Sequence, residues 1–222
     1  MGKKISRKQA IVNILAAVGS PILAGPLFGL ANISMIGKSA PVRPIGNKDI
    51  KDPVTAITLG AGSRGNVYGN YAVEFPNELN IIGVAEPIEI RNERYAKKHN
   101  ISHKNRFDTW EHVFKQPKFA DAIIITTPDD LHYGPCMKAL KMGYDILLEK
   151  PIAPTEQECR DILALQKKNG NIVAVCHVLR YAPYFINLKR LMDSGVLGDI
   201  ISIQHMEPIE HIHMSHSYVR GN

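Results

Sequence analysis

Gly60-Ala61-Gly62-Ser63-Arg64-Gly65 follows directly on the apolar run Val54-Thr55-Ala56-Ile57-Thr58, and glycines at this spacing can do chemistry. A strand that turns tightly into a helix offers backbone N–H groups to an anion, which suits a pyrophosphate. Gly60 allows the tight turn. Gly62 lets the backbone approach the phosphates without a Cβ in the way, and Gly65 lets the helix pack close to the sheet. Ser63 and Arg64 lie in the same turn and join the candidate binding set. A second apolar run, Ile81–Ala85, ends at Glu86, which lies 21 residues beyond Gly65. A carboxylate at that distance can grip a ribose 2′-hydroxyl, so the two segments together read as a dinucleotide site.

Charge and cysteine usage narrow the alternatives. The formal net charge is +6, and Lys3, Lys4, Arg7 and Lys8 supply four of these charges. The remainder mixes acids and bases with no basic stripe and interleaved aromatics, so a nucleic-acid partner is not expected. Cys136, Cys159 and Cys176 are odd in number and sit in apolar periodic segments, which fits buried thiols rather than disulfides or zinc. The four basic residues precede a charge-free stretch from Gln9 to Gly37, the pattern of an export signal. Ser6-Arg7-Lys8 departs from a twin-arginine signal by a lysine at the second position. Residues 1–37 are therefore expected to direct export to the periplasm, or, in the alternative, to anchor the chain in a membrane through residues 9–37.

The elements that must position these residues alternate. Residues 38–53 read as a linker. From Val54 onward, apolar runs at Ile81–Ala85, Ala122–Thr127, Asp145–Leu148 and Ile172–Cys176 read as buried strands. Helical patterns separate them over Pro87–Lys98, from Asp108, over His132–Met142 and over Thr155–Lys168. Thr155-Glu156-Gln157-Glu158 is a capping box, and Gly170 ends its helix. Strands apolar on both faces imply an α/β fold, a doubly wound parallel sheet with helices on both sides. Ligands bind along the C-terminal edge of such a sheet. Glu86, Thr126-Thr127-Pro128, Glu149-Lys150 and His177 each follow a strand at that edge. A second region opens near Leu179, with an amphipathic helix over Phe185–Ser194 closed by Gly195 and a strand over Ile200–His205. Residues 54–178 are thus expected as one domain and 179–222 as the incomplete start of another.

Gly60–Gly65, Thr127-Pro128-Asp129-Asp130-Leu131-His132, Glu149-Lys150-Pro151 and Arg180-Tyr181-Ala182-Pro183, in this order, resemble the Gfo/Idh/MocA oxidoreductases. The resemblance runs from about Val54 to the end of the chain, and Glu-Lys-Pro after the fifth strand is its most specific piece. It implies a Rossmann domain binding NAD, with NADP less favoured, followed by the start of an α+β open-sheet domain in a C-terminally truncated member. It implies hydride transfer at a carbohydrate or polyol hydroxyl, with Lys150 assisting proton transfer and the Lys-Pro bond often cis. Glu86 would take the adenosine ribose and repel a 2′-phosphate, whereas Arg91 speaks for NADP. Arg64 would stack on or bridge the cofactor, and Thr127, Pro128, His132, Glu149 and His177 would line its path. Arg180, Tyr181 and His213 are substrate candidates. His211, His213 and His216 alternate as in an extended segment, but no metal is assigned to them. Two other functions remain open: a glycoside hydrolase that oxidises and re-reduces its sugar through bound NAD, and an inactive NAD-binding fragment. Relatives are expected to be homo-oligomers, which is doubtful for this chain, and the chain alone is expected to bind NAD weakly or be unstable.

Overall fold

Alternate residues of each central strand feed two different apolar clusters, and this organises the fold. The computed structural model describes residues 52–219. The expected export signal or anchor over 1–37 lies outside the described residues, as does nearly all of the expected linker. Six strands form one sheet: β1 Val54–Leu59, β2 Leu79–Ala85, β3 Arg106–Phe107, β4 Ala122–Ile125, β5 Asp145–Leu148 and β6 Val173–Val175. Their spatial order is β3-β2-β1-β4-β5-β6, with every pairing parallel. The doubly wound α/β expectation is met.

Among the described residues, the helices α1 Ser63–Glu74, α2 Glu89–Lys98, α3 Trp110–Val113, α4 Tyr133–Lys141 and α5 Glu156–Asn169 accompany the sheet, and α6 Pro183–Asp193 follows them in sequence. On one face of the sheet, Ala56, Ala122, Ile124 and Leu147 pack with Tyr68, Tyr71 and Ala72 of α1 and Tyr95 and Ala96 of α2. On the other face, Ile57, Leu59, Ile123, Ile125, Ile146 and Leu148 pack with Cys136, Ala139 and Leu140 of α4 and Ile162 of α5. Strand residues of opposite parity therefore need apolar cover on both sides, and the helices supply it. The Thr155 side chain accepts from Glu158 N while the Glu158 carboxylate bonds back to Thr155 N, so the capping box forms as read. Gly170 ends α5 in the left-handed region at φ 74°.

The chain divides into two compact units, Met1–Pro183 and Tyr184–Asn222. The division falls later than the expected boundary at 178 because Val178 and Tyr181 pack on the first core cluster. The expected strand over Ile200–His205 does not form; these residues have no regular secondary structure. No strand among the described residues follows Val175, and Ile201 is 97% exposed. The extended reading of His211 and His213 is also corrected. They form a helical turn in which the Glu210 carboxylate accepts from His213 N. Among the described residues no group of three His, Cys, Asp or Glu side chains is arranged to hold a metal ion.

Candidate dinucleotide-binding site

The chain reverses its direction of sheet growth between β1 and β4, which are neighbours although separated in sequence. A crevice opens at such a switch point, outside the strand C-termini. The Gly60–Gly65 turn leaves β1 there, and Thr126-Thr127 leaves β4 beside it. Gly60 has φ 91°, and a Cβ on it would meet the Thr126 carbonyl oxygen at 2.6 Å. A Cβ on Gly65 would collide with the Gly60 carbonyl. Thr126 closes the turn: its hydroxyl donates to the Gly60 carbonyl at 2.6 Å. Asn66 reaches back from α1, with its amide donating to the Ala61 and Gly62 carbonyls at 2.9 and 3.0 Å.

Gly62 is different. It caps α1 at φ −72°, and nothing lies within 4 Å of the place a Cβ would take. No side chain caps α1 and no acid occupies its first turn, so the helix presents its N-terminal N–H groups and the positive end of its dipole to the crevice. A pyrophosphate fits this arrangement: two glycines are required by the fold itself, and the third leaves clear the approach that phosphates need.

Glu86 follows β2 and is 5% exposed. Its carboxylate accepts from Ala61 N at 2.7 Å and from Ile88 N at 3.0 Å. It thus grips the glycine turn as well as ending β2. Each carboxylate oxygen has a further acceptor direction, which a ribose hydroxyl can use.

At the β5 end, one buried carboxylate gathers three partners. Glu149 Oε1 accepts from Arg64 Nε at 2.6 Å and from the Tyr68 hydroxyl at 2.9 Å, while its Oε2 accepts from Lys150 N at 2.7 Å. Burial opposes the charge on Arg64, but the Glu149 carboxylate more than compensates and holds the guanidinium above its ordinary pKa. Burial, then the neighbouring Cys176 and Glu149, pushes the Tyr68 phenol far up, so it stays a neutral donor. Arg64 is therefore tied to Glu149 and lies 5.6 Å over the Tyr68 ring. Lys150 itself is exposed, with its backbone fixed by Glu149, and the Lys150–Pro151 bond is cis.

His132 is fully buried. Nδ1 lies 2.7 Å from the Pro151 carbonyl oxygen and Nε2 lies 3.0 Å from that of Thr127. The ring spans the loops after β4 and β5 and ties them together. Thr127 is half-buried, and its hydroxyl donates to the Leu131 carbonyl at 3.2 Å. Pro128 is exposed at the start of the short turn Asp129–Leu131. His177 is exposed just after β6, and Arg180 is exposed on the turn that follows. Tyr181 packs against the first core cluster, while His213 belongs to the second unit. The first unit thus brings together the glycines, Ser63, Arg64, Glu86, Thr127, Pro128, His132, Glu149 and Lys150. Tyr68 and Asn66 were not expected at the site, whereas Thr126 was expected at the ligand edge but not as the group that closes the glycine turn. Tyr68 could have been found from its place one helical turn after Arg64 on the same face of α1.

The family model described as "Oxidoreductase family, NAD-binding Rossmann fold" (GFO_IDH_MocA) matches residues 55–177, more than half of the chain. The chain belongs to the Gfo/Idh/MocA oxidoreductase family. Among its relatives is the scyllo-inositol 2-dehydrogenase (NAD(+)) of Bacillus subtilis, 30% identical over 145 residues, which cover 65% of this chain and 42% of the relative. Two solved structures share the fold. The myo-inositol 2-dehydrogenase of Lactobacillus plantarum has a TM-score of 0.62 at 19% identity, over 68% of this chain and 44% of that one. The WlbA dehydrogenase of Bordetella pertussis, in complex with NADH and UDP-GlcNAcA, has a TM-score of 0.62 at 15% identity, over 67% and 43%. The chain spans less than half the length of the curated relatives it matches. Its first unit is the NAD-binding Rossmann fold of this family.

Proposed function

We propose that this chain carries the cofactor half of an NAD-dependent dehydrogenase that oxidises a hydroxyl of a polyol or sugar, with Lys150 handling the proton. The observation that carries this reading is the Glu149 network, which ties the exposed Lys150 to the helix that leaves the glycine turn. NAD, when bound, supplies the hydride acceptor. Gly60, Gly62 and Gly65 shape the backbone that would hold its pyrophosphate, and Glu86 would hold its adenosine ribose. Glu149, His132 and the Thr127 carbonyl fix the loops after β4 and β5. The Lys150 amine can hydrogen-bond the substrate oxygen and relay the hydroxyl proton outward as the alkoxide character grows. The inositol dehydrogenases among the relatives support a polyhydroxylated substrate.

The test is Lys150→Met, assayed by NADH formation on a panel of inositols and free sugars and by NAD+ titration. NADH formation is expected to fall at least a hundredfold while NAD+ affinity stays within about threefold, since a positioned acid–base group is worth about 10²–10⁴ in rate. A variant that retains the wild-type rate on the same substrate would remove Lys150 from the chemistry.

A further inference from the structure

Lysines that look scattered in the sequence collect at one edge of the sheet, that of the strand N-termini, opposite the glycine turn. Residues 113–122 lead from α3 into β4, residues 137–147 from α4 into β5, and residues 163–175 from α5 into β6. Because β4, β5 and β6 are parallel neighbours, these three stretches arrive side by side. They carry Lys115, Lys118, Lys138, Lys141, Lys167 and Lys168, all exposed. Their two acids are Asp121 and Asp145. Asp121 accepts from Thr55 N at 3.0 Å and from its hydroxyl at 2.8 Å. Asp145 is 8% exposed and accepts from Ile172 N at 2.9 Å. Both acids are therefore turned onto the strand starts, and the outward charge of these stretches is of one sign.

Cations in the last turn of a helix complement its dipole, which accounts for the lysines that end α4 and α5. It does not account for Lys115 and Lys118, which lie in the loop between α3 and β4. Lys118 is held in place: its ammonium donates to the Gly143 carbonyl at 2.5 Å and lies 5.1 Å from the centre of the Tyr144 ring. It thereby joins the loop before β4 to the turn before β5. A face of like charges attracts a surface of the opposite sign over about 8–10 Å in physiological salt.

The chain enters the sheet at this same edge. Val54 opens β1, which pairs with β4, and Thr55 bonds to Asp121. In the sequence, 16 residues separate Gly37, the end of the apolar charge-free stretch, from Val54. An anchor over residues 9–37 would therefore tether the domain by its lysine edge.

We propose that this lysine edge docks on an anionic membrane surface, with the ammonium groups against lipid phosphates and the glycine turn facing away from the bilayer. The lysines carry the proposal, and the anchor reading of residues 9–37 adds the tether. It is independent of the reaction proposed above.

The experiment is co-sedimentation of the full chain with vesicles of phosphatidylcholine alone and with vesicles in which a third of the lipid is phosphatidylglycerol. It compares the wild type with K115Q/K118Q/K138Q/K141Q/K167Q/K168Q. The uncharged vesicles measure what the apolar stretch binds by itself, so the readout is the ratio of the two affinities. The wild type is expected to prefer the anionic vesicles at least tenfold at low salt, with the preference falling as salt rises. The variant is expected to lose at least fivefold of that preference while its binding to phosphatidylcholine stays within twofold. Lys118 holds a backbone carbonyl, so a second variant retains it: K115Q/K138Q/K141Q/K167Q/K168Q is expected to lose at least threefold, with thermal unfolding checking its fold. A wild type without preference overturns the proposal. So does an undiminished preference in the second variant, which would assign the attraction to the basic residues before Gln9. Duplex DNA bound more tightly than the anionic vesicles, and lost in the same variants, would also overturn it and give the edge to a nucleic acid.

Discussion

Glu149 reaches from the end of β5 to Arg64 and Tyr68 on α1 and to the backbone of Lys150. One carboxylate so placed does two jobs: it keeps a guanidinium charged despite burial, and it fixes the residue proposed to move a proton. His99, at the end of α2, shows the opposite economy. Its Nε2 is buried without a partner, and burial, reinforced by Lys98, lowers its pKa from 6.5 to about 4. The unfolded chain protonates this imidazole near pH 6.5, whereas the folded chain does so only near pH 4. Between these values the unfolded state binds more protons, so folding stability must fall as the pH drops through that window. Urea unfolding at pH 7, 5.5 and 4.5 should show this decline, and His99→Gln should flatten it. An unchanged slope in the variant would assign the decline to other groups.

The α5 start is the clearest case of an element written in sequence. Thr155 and Glu158 form the reciprocal box that their spacing predicts, and Thr155 lies exposed, so little else compensates for its hydroxyl. Thr155→Ala is expected to cost about 1 kcal/mol, or roughly 2–4 °C in Tm for a protein of this size. A thermal scan that shows no shift would mean that packing alone holds the helix. The strands β1, β2, β4, β5 and β6 were legible for a related reason: each is an apolar run that must be covered on both faces. β3 was not, because Arg106-Phe107 is two residues at the sheet edge and carries no periodic signal. Ile200–His205 misled in the other direction. Its apolar, β-branched run favours a strand, but a strand also needs a neighbouring ladder, and no residue pattern within the segment supplies one.

At the scale of the molecule, sheet order decides what meets what. Placing β4 beside β1 puts Thr126 against the glycine turn, and placing β5 next brings Glu149 and Lys150 to α1. The types of the candidate residues were legible in the sequence, as were the strands they follow. Their partnerships were not, because contacts such as Tyr68 with Glu149 and His132 with two loop carbonyls depend on side-chain packing across elements far apart in the chain. That packing sets His132 between two loops and ties Arg64 to Glu149. It also gave Gly62 a meaning distinct from that of Gly60 and Gly65. The fold forces those two, whereas only a ligand requires Gly62 to be open. Calorimetric titration of NAD+ into the wild type and into Gly62→Ala, with urea unfolding of both, tests the central claim most directly. Saturable binding to the wild type, weakened tenfold or more in a variant that still unfolds cooperatively and loses no more than about 1 kcal/mol of stability at this cap position, is the expected result. Equal NAD+ binding by the two proteins, or none by the wild type, would contradict it.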